Sequence, residues 1–275
     1  MNNFALRTIT GAVFVILIIG SVILNHWAFS ALFLIVSLGG YLEFVKISGS
    51  MNARPPKFAG LVVSSLTYLL ITCWNYGLIP DLSLFALILI PVILLIVELF
   101  RKSSTSLLNV SLALLGIIWI VIPLALLSGF FNLAEEHKWR ETGLLLGFFL
   151  ILWIYDSGAY IAGSIMGKHR MLERISPKKS WEGFAGGALA GLLIAYIISA
   201  SFTEFSILEW LLIGIAIIVF GTLGDFIESM FKRNAGVKDS GRILPGHGGI
   251  LDRFDAVFMA APVVFIIVRL LRLFN

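Results

Sequence analysis

ILEWLLIGIAIIVFGTLGDFIESMFKR, residues 207–233, decides the class of fold. A membrane-spanning helix needs about 20 mostly apolar residues, and this run supplies them before turning polar at Asp225, Glu228, Lys232 and Arg233. At helical spacing Asp225, Glu228, Ser229 and Lys232 fall at i, i+3, i+4 and i+7, on one face. An apolar helix therefore ends in a charged stripe. Charges at bilayer depth cost roughly 2.5–3.5 kcal/mol each on insertion scales, so such a stripe is expected to hold something charged.

Working outward, eight further apolar runs of spanning length appear, at approximately 7–25, 27–47, 57–76, 81–100, 107–131, 142–166, 181–202 and 253–273. The 275 residues are 59% hydrophobic and 13% charged, against roughly 25% charged in soluble domains. That excludes a soluble protein. The expected class is all-α, a polytopic membrane helix bundle with about nine transmembrane helices. The lone Cys73 lies in an apolar run and reads as a small buried hydrophobe. The run Ile9–Leu24 lacks a small-residue cleavage site, so no cleavable signal peptide is expected. No internal repeat is evident.

With the N-terminus in the cytoplasm and nine spans alternating, most of the 20 Lys and Arg fall on the cytoplasmic side, as the positive-inside rule favours. Arg269 and Arg272 are mild exceptions, able to snorkel toward head groups. The two longest cytoplasmic connections, 167–181 and 232–252, are the richest in chemistry. We therefore expect N-terminal scaffold helices over 1–105 and a catalytic region over 106–275, facing the cytoplasm of a cell membrane.

Four constellations carry that chemistry. Asp156 sits inside the sixth apolar run, and an acidic residue there is a functional candidate as well as a structural one. Ser176-Pro177-Lys178-Lys179-Ser180, expected as a compact turn after Gly167-Lys168-His169-Arg170, puts two ammonium groups before a helix N-terminus, which itself attracts anions. The third is the stripe from Asp225 to Arg233. In the fourth, Gly246, Gly248 and Gly249 flank His247, and glycine lets a backbone approach a phosphate closely. Asp252 and Asp255 follow at i and i+3, with Arg253 between them and Lys238, Asp239 and Arg242 upstream. Several carboxylates converging with Lys and Arg suit Mg²⁺ held by one or two carboxylates plus substrate phosphates. The residues alone reach a magnesium-dependent phosphate-transfer enzyme in a membrane, and no further.

Ser229-x-Phe231-Lys232-Arg233, Lys238-Asp239-x-Gly241, Leu244-Pro245-Gly246-His247-Gly248-Gly249 and Asp252-Arg253-Phe254-Asp255 together resemble the signature of the phosphatidate cytidylyltransferase (CDP-diacylglycerol synthase) family. Upstream, Asp156-Ser157-Gly158-Ala159-Tyr160, Gly167-Lys168 and Ser176 through Gly183 also look like that family, with Ser where Thr is common. The resemblance implies the reaction of CTP with phosphatidate to give CDP-diacylglycerol and diphosphate. It further implies Asp225 and Asp252 as principal metal ligands, with Asp156, Asp255 and Asp239 ligating directly or through water. Mg²⁺ is the implied cofactor, with a monovalent K⁺ beside it. Lys232, Arg233, Lys238, His247 and Arg253 join the catalytic set. Lys168, Ser176, Pro177, Lys178, Lys179, Ser229, Gly246, Gly248 and Gly249 join the substrate-binding set. Membrane lipid and a homodimer contact through the N-terminal helices complete the implied partners, and no nucleic acid is expected.

Two rival classes stay open on the residues alone. A CTP-dependent lipid or polyprenol kinase would transfer the γ-phosphoryl group and release CDP. An ion-coupled transporter would also hold buried carboxylates, although the inverted repeats frequent in transporters are not evident. The DGxxAR-type motif of CDP-alcohol phosphotransferases is absent.

Overall fold

A computed structural model describes residues 3–132, 142–241 and 248–274. Among these, eight helical segments are long and apolar enough to cross a membrane, and Ile9–Leu24 is a shorter apolar helix. The chain is a multi-pass membrane protein. Each expected run lies on one of these segments. The first is α1 (Asn3–Leu24), followed by α2 (His26–Ser48), α3 (Lys57–Asn75) and α4 (Leu89–Arg101). A 3₁₀ stretch, Asp81–Ile88, leads into α4 and completes its span. The fifth run is interrupted: α5 (Ser106–Gly116) passes through a π-helical turn, Ile117–Val121, into α6 (Ile122–Leu126), and the short α7 (Gly129–Asn132) follows. Then come α8 (Gly143–Met166), a hairpin of β1 (Arg170–Leu172) and β2 (Ser176–Ser180), α9 (Trp181–Ser199), α10 (Ile207–Asn234) and α11 (Leu251–Phe274).

The chain divides into two compact units. The first comprises residues up to Gly129 together with Phe231–Phe254. Its core is aromatic and centred on α2. Phe29 stacks on Phe33 at 4.1 Å, and Phe44 stacks on Phe231 at 4.5 Å, with Trp119 edge-on to Phe44 and Phe231. Offset and edge-to-face pairs of this kind add about 0.5–1.5 kcal/mol each beyond the area they bury. One buried polar network in this apolar setting is well partnered. Glu98, buried on α4, accepts from Arg101 and from Asn109, both at 2.6 Å, and Asn109 in turn accepts the Arg54 N–H.

The second unit comprises Phe130–Met230 and Asp255–Asn275. α8 and α9 pack backbone to backbone because Gly183, Gly187 and Gly191 recur at four-residue spacing along α9. A Cβ on Gly187 would lie 2.7 Å from the Tyr155 carbonyl oxygen, and one on Gly158 only 2.9 Å from the Ala190 methyl. The Tyr155 hydroxyl meets Thr222 Oγ1 at 2.5 Å and so ties α8 to α10. Trp210 is fully buried against Gly147 and donates its indole N–H to the Phe202 carbonyl.

One sequence expectation is corrected here. Ser176–Ser180 is a strand, not a compact turn. It pairs antiparallel with Arg170–Leu172, and the reversal falls at residues 173–175. The ladder satisfies backbone groups that a turn of its own would leave to water.

Candidate active site

In the second unit the site begins with a glycine. A Cβ on Gly224 would collide with the Asp255 carbonyl oxygen and lie 3.1 Å from Ala256 Cα. Without one, α10 lies against the start of α11. The next residue is Asp225, and Glu228 follows one turn later. One oxygen each from Asp225, Glu228 and Asp255 therefore lie within 4.8 Å of one another. Glu228 is fully buried, and Asp225 also accepts from Ser229 Oγ at 3.3 Å. Like charges at that separation repel strongly in low dielectric, and a cation bound among them would relieve that repulsion. Hard carboxylate oxygens suit Mg²⁺. Asp225 and Asp255 of the expected ligand set meet here, Glu228 joins them, and the three fit a divalent cation.

One cation is supplied by the chain. Lys179, on β2, pairs with Asp225 Oδ2 and lies over the Phe226 ring at 5.1 Å. Burial alone would lower the Lys179 ammonium, but the Asp225 charge and hydrogen bond outweigh it and hold it above the ordinary lysine range. The hairpin is pinned at both ends. Glu182 accepts the Lys168 N–H at 3.0 Å and meets His169 Nδ1 at 2.5 Å, while Ser180 caps α9 by accepting the Gly183 N–H. Asp156, Asp225, Arg170, Lys178 and Lys179 then line one cavity of about 540 Å³, together with Tyr155 and Tyr160. Ligand sites fall in this size range. Around it, Tyr160, Ile161, Ile165, Met166 and Trp181 are exposed apolar side chains.

The first unit holds a second cluster, built on Asp252 in the first turn of α11. Its Oδ1 accepts from Lys232 Nζ at 2.6 Å. Its Oδ2 accepts the Ser240 N–H at 3.0 Å, Ser240 Oγ at 2.9 Å and the Gly249 N–H at 2.8 Å. Gly248 takes φ +84, and a Cβ there would lie 2.5 Å from the same Oδ2. Glu43, in the last two turns of α2, accepts the Leu251 N–H at 3.0 Å and Ser240 Oγ at 3.2 Å.

Of the residues singled out in the sequence, Asp156, Asp225, Lys178 and Lys179 share the cavity, and Asp255 and Ser229 adjoin Asp225 in the second unit. Lys232, Asp252, Gly248 and Gly249 make up the cluster of the first. Arg233, Lys238, Asp239 and Arg253 are exposed, as are Lys168 and Pro177, while Ser176 is half-buried at the hairpin's turn end. Gly246 and His247 lie outside the described residues. Two acidic residues of these clusters were not among the expected site residues. Glu228 was already on the polar face of α10. Glu43 gave the same signal as Asp156, an acid within an apolar run.

Comparison with known proteins places this geometry in context. The model of the cytidylyltransferase family matches residues 5–271. The chain is 40% identical over 247 residues to the phosphatidate cytidylyltransferase of Staphylococcus saprophyticus, covering 85% of this chain and 90% of that one. It is 41% identical over 193 residues to that of Staphylococcus haemolyticus, covering 69% and 70%. With that of Staphylococcus aureus strain COL it shares 37% over 231 residues, covering 82% and 81%.

Proposed function

The chain belongs to the cytidylyltransferase family, and from that premise we propose that it transfers the cytidylyl group of CTP to phosphatidate, giving CDP-diacylglycerol and diphosphate for phospholipid synthesis. The observation that carries the reading at the level of residues is the convergence of Asp225, Glu228 and Asp255 beside a cavity lined by Lys178, Lys179 and Arg170. Both reactants are anions, so the reaction needs charge neutralisation and positioning more than a covalent helper.

A lipid phosphate oxygen attacks the α-phosphorus of CTP. The new P–O bond forms as the bond to the β-phosphate breaks, and diphosphate carries away the electron pair. A phosphate monoester is largely ionised near neutral pH, so no general base is required. Asp225, Glu228 and Asp255 would hold Mg²⁺, with Asp156 lining the same cavity as Asp225, and a K⁺ would lie beside it. When bound, the ion screens phosphate charge and stabilises the leaving group. Lys178, Lys179 and Arg170 hold phosphate oxygens at the cavity. Asp252 takes part by fixing Lys232 and the backbone at Ser240 and Gly249; ligation by its Oδ1 requires Lys232 to move away. Acyl chains remain in the bilayer along exposed Tyr160, Ile161 and Ile165.

The same reading assigns residues 1–105 mainly to scaffold and 106–275 mainly to chemistry. It sets the chain in the plasma membrane with the basic loops cytoplasmic, supported by where Lys and Arg fall along the sequence, and makes it a homodimer. Cysteine labelling from either face tests the orientation, and the mass of the detergent-solubilised particle tests the dimer. The deciding assay supplies purified protein in detergent with CTP, phosphatidate and Mg²⁺. CDP-diacylglycerol and diphosphate are expected in equal amounts, with no product after EDTA. Release of CDP in place of diphosphate would make the protein a kinase and overturn the assignment.

A further inference from the structure

We infer that Glu43, in the N-terminal half that carries no signature residue, is a positioning residue for the reaction: it fixes the start of α11 and so aims Asp252. Glu43 is 4% exposed in the last two turns of an apolar helix. A carboxyl group there is costly to bury unless it is hydrogen-bonded. Its bonds all lead to one place. Oε2 accepts the Leu251 N–H at 3.0 Å and Ser240 Oγ at 3.2 Å. Leu251 opens α11, where the first N–H groups have no partner within the helix, so Glu43 caps that helix from a position 208 residues away in the chain.

The Ser240 hydroxyl extends the link. It also lies 2.9 Å from Asp252 Oδ2, so Glu43 and Asp252 are joined through a single side chain. Two glycines make room for the Glu43 carboxyl. A Cβ on Gly249 would lie 2.6 Å from its Oε1, and one on Gly241 would lie 2.9 Å from its Cδ. An apolar residue at 43 would avoid the burial cost. It would also leave the Leu251 N–H without the acceptor that anchors the loop. The acid is thus spent on holding Ser240, Gly249 and Leu251 in the arrangement that engages Asp252.

The inference rests on Asp252 acting in the reaction, so Asp252→Asn is measured alongside. In Glu43→Ala, kcat per folded enzyme should fall by about tenfold or more with KM for CTP moved less than about threefold, the pattern of lost transition-state positioning. Glu43→Gln keeps an acceptor in the same place and should recover most of that loss. Hydrogen exchange on the metal-free protein gives a readout apart from turnover: the Ser240, Gly249 and Leu251 amides should exchange faster in Glu43→Ala, those of α3 unchanged. Unaltered kcat and protection in Glu43→Ala, or a Gln variant as impaired as Ala, would overturn the inference. If Glu43→Ala does not fold, Ser240→Ala removes only the bridging hydroxyl, and a wild-type kcat there overturns it equally. An inactive Asp252→Asn beside a fully active Glu43→Ala rejects Glu43 alone, whereas a fully active Asp252→Asn rejects the role of Asp252 itself.

Discussion

Gly224 faces the carbonyl oxygen of Asp255 with no room between them for a methyl group. Gly224→Ala must therefore push α10 away from α11, and overpacking of this kind costs about 1–3 kcal/mol. The shift separates Asp225 from Asp255, so turnover should fall by about tenfold or more, beyond any loss of folded protein. Gly221→Ala is the control one turn earlier. Its Cβ would meet only side-chain carbons, Leu152 Cδ1 at 3.2 Å and Ala256 Cβ at 3.4 Å, which can yield. Activity of purified, monodisperse protein decides the matter; equal activity in the two variants would refute the close-approach argument.

Glu228→Gln tests the cation site through its ion dependence. The substitution removes one of three carboxylates whose oxygens lie within 4.8 Å of one another while keeping the side chain's shape. Losing one hard, charged ligand should raise the Mg²⁺ concentration for half-maximal turnover by about tenfold. A titration of turnover against Mg²⁺ that overlays the wild-type curve would remove Glu228 from the site. Asp255→Asn should act in the same direction, and combining the two should abolish activity.

Lys179 gives a prediction in pH. Its ammonium is held above the ordinary lysine value by Asp225. A raised folded value means that its stabilising contribution is complete below about pH 10.4, the unfolded value, and fades only as pH rises through the folded one. The gap in thermal midpoint between wild type and Lys179→Met should therefore stay constant from about pH 6 to 9. A gap that closes within that window would show that the group titrates there and is not held by Asp225. Lys179→Arg keeps the charge but not the compact ammonium, so it should retain more activity than Lys179→Met.

These residues also mark how far the sequence alone reaches. The spans were legible because lipid demands long apolar helices with their backbone satisfied internally. The polar face of α10 was legible because helical spacing brings Asp225, Glu228 and Lys232 to one side. The hairpin at Arg170–Leu172 and Ser176–Ser180 was not, since three- and five-residue strands carry no periodic signal and form here between the fixed ends of α8 and α9. Glu43 shows the harder limit. Its acid in an apolar run was a signal the sequence reading passed over, and its partners lie about 200 residues away, where no local pattern names them. Gly224 is similar: the sequence shows a glycine before an aspartate, and only packing shows which backbone it admits.

Gly248 separates strain from collision. At φ +84 any other residue pays a left-handed penalty of about 1–2 kcal/mol, and Gly236, at φ +68 just beyond the end of α10, should carry the same penalty. The two differ in their surroundings. A Cβ at Gly236 meets nothing within 4 Å, whereas one at Gly248 lies 2.5 Å from Asp252 Oδ2. Gly236→Ala should lower the thermal midpoint and leave kcat within about twofold of wild type, since only backbone strain changes. Gly248→Ala should lower the midpoint similarly but reduce kcat by about tenfold or more, because the methyl displaces the carboxylate that holds Lys232, Ser240 and Gly249. Matching kcat values in the two variants, measured at saturating CTP and phosphatidate, would mean that the placement of Asp252 does not govern turnover.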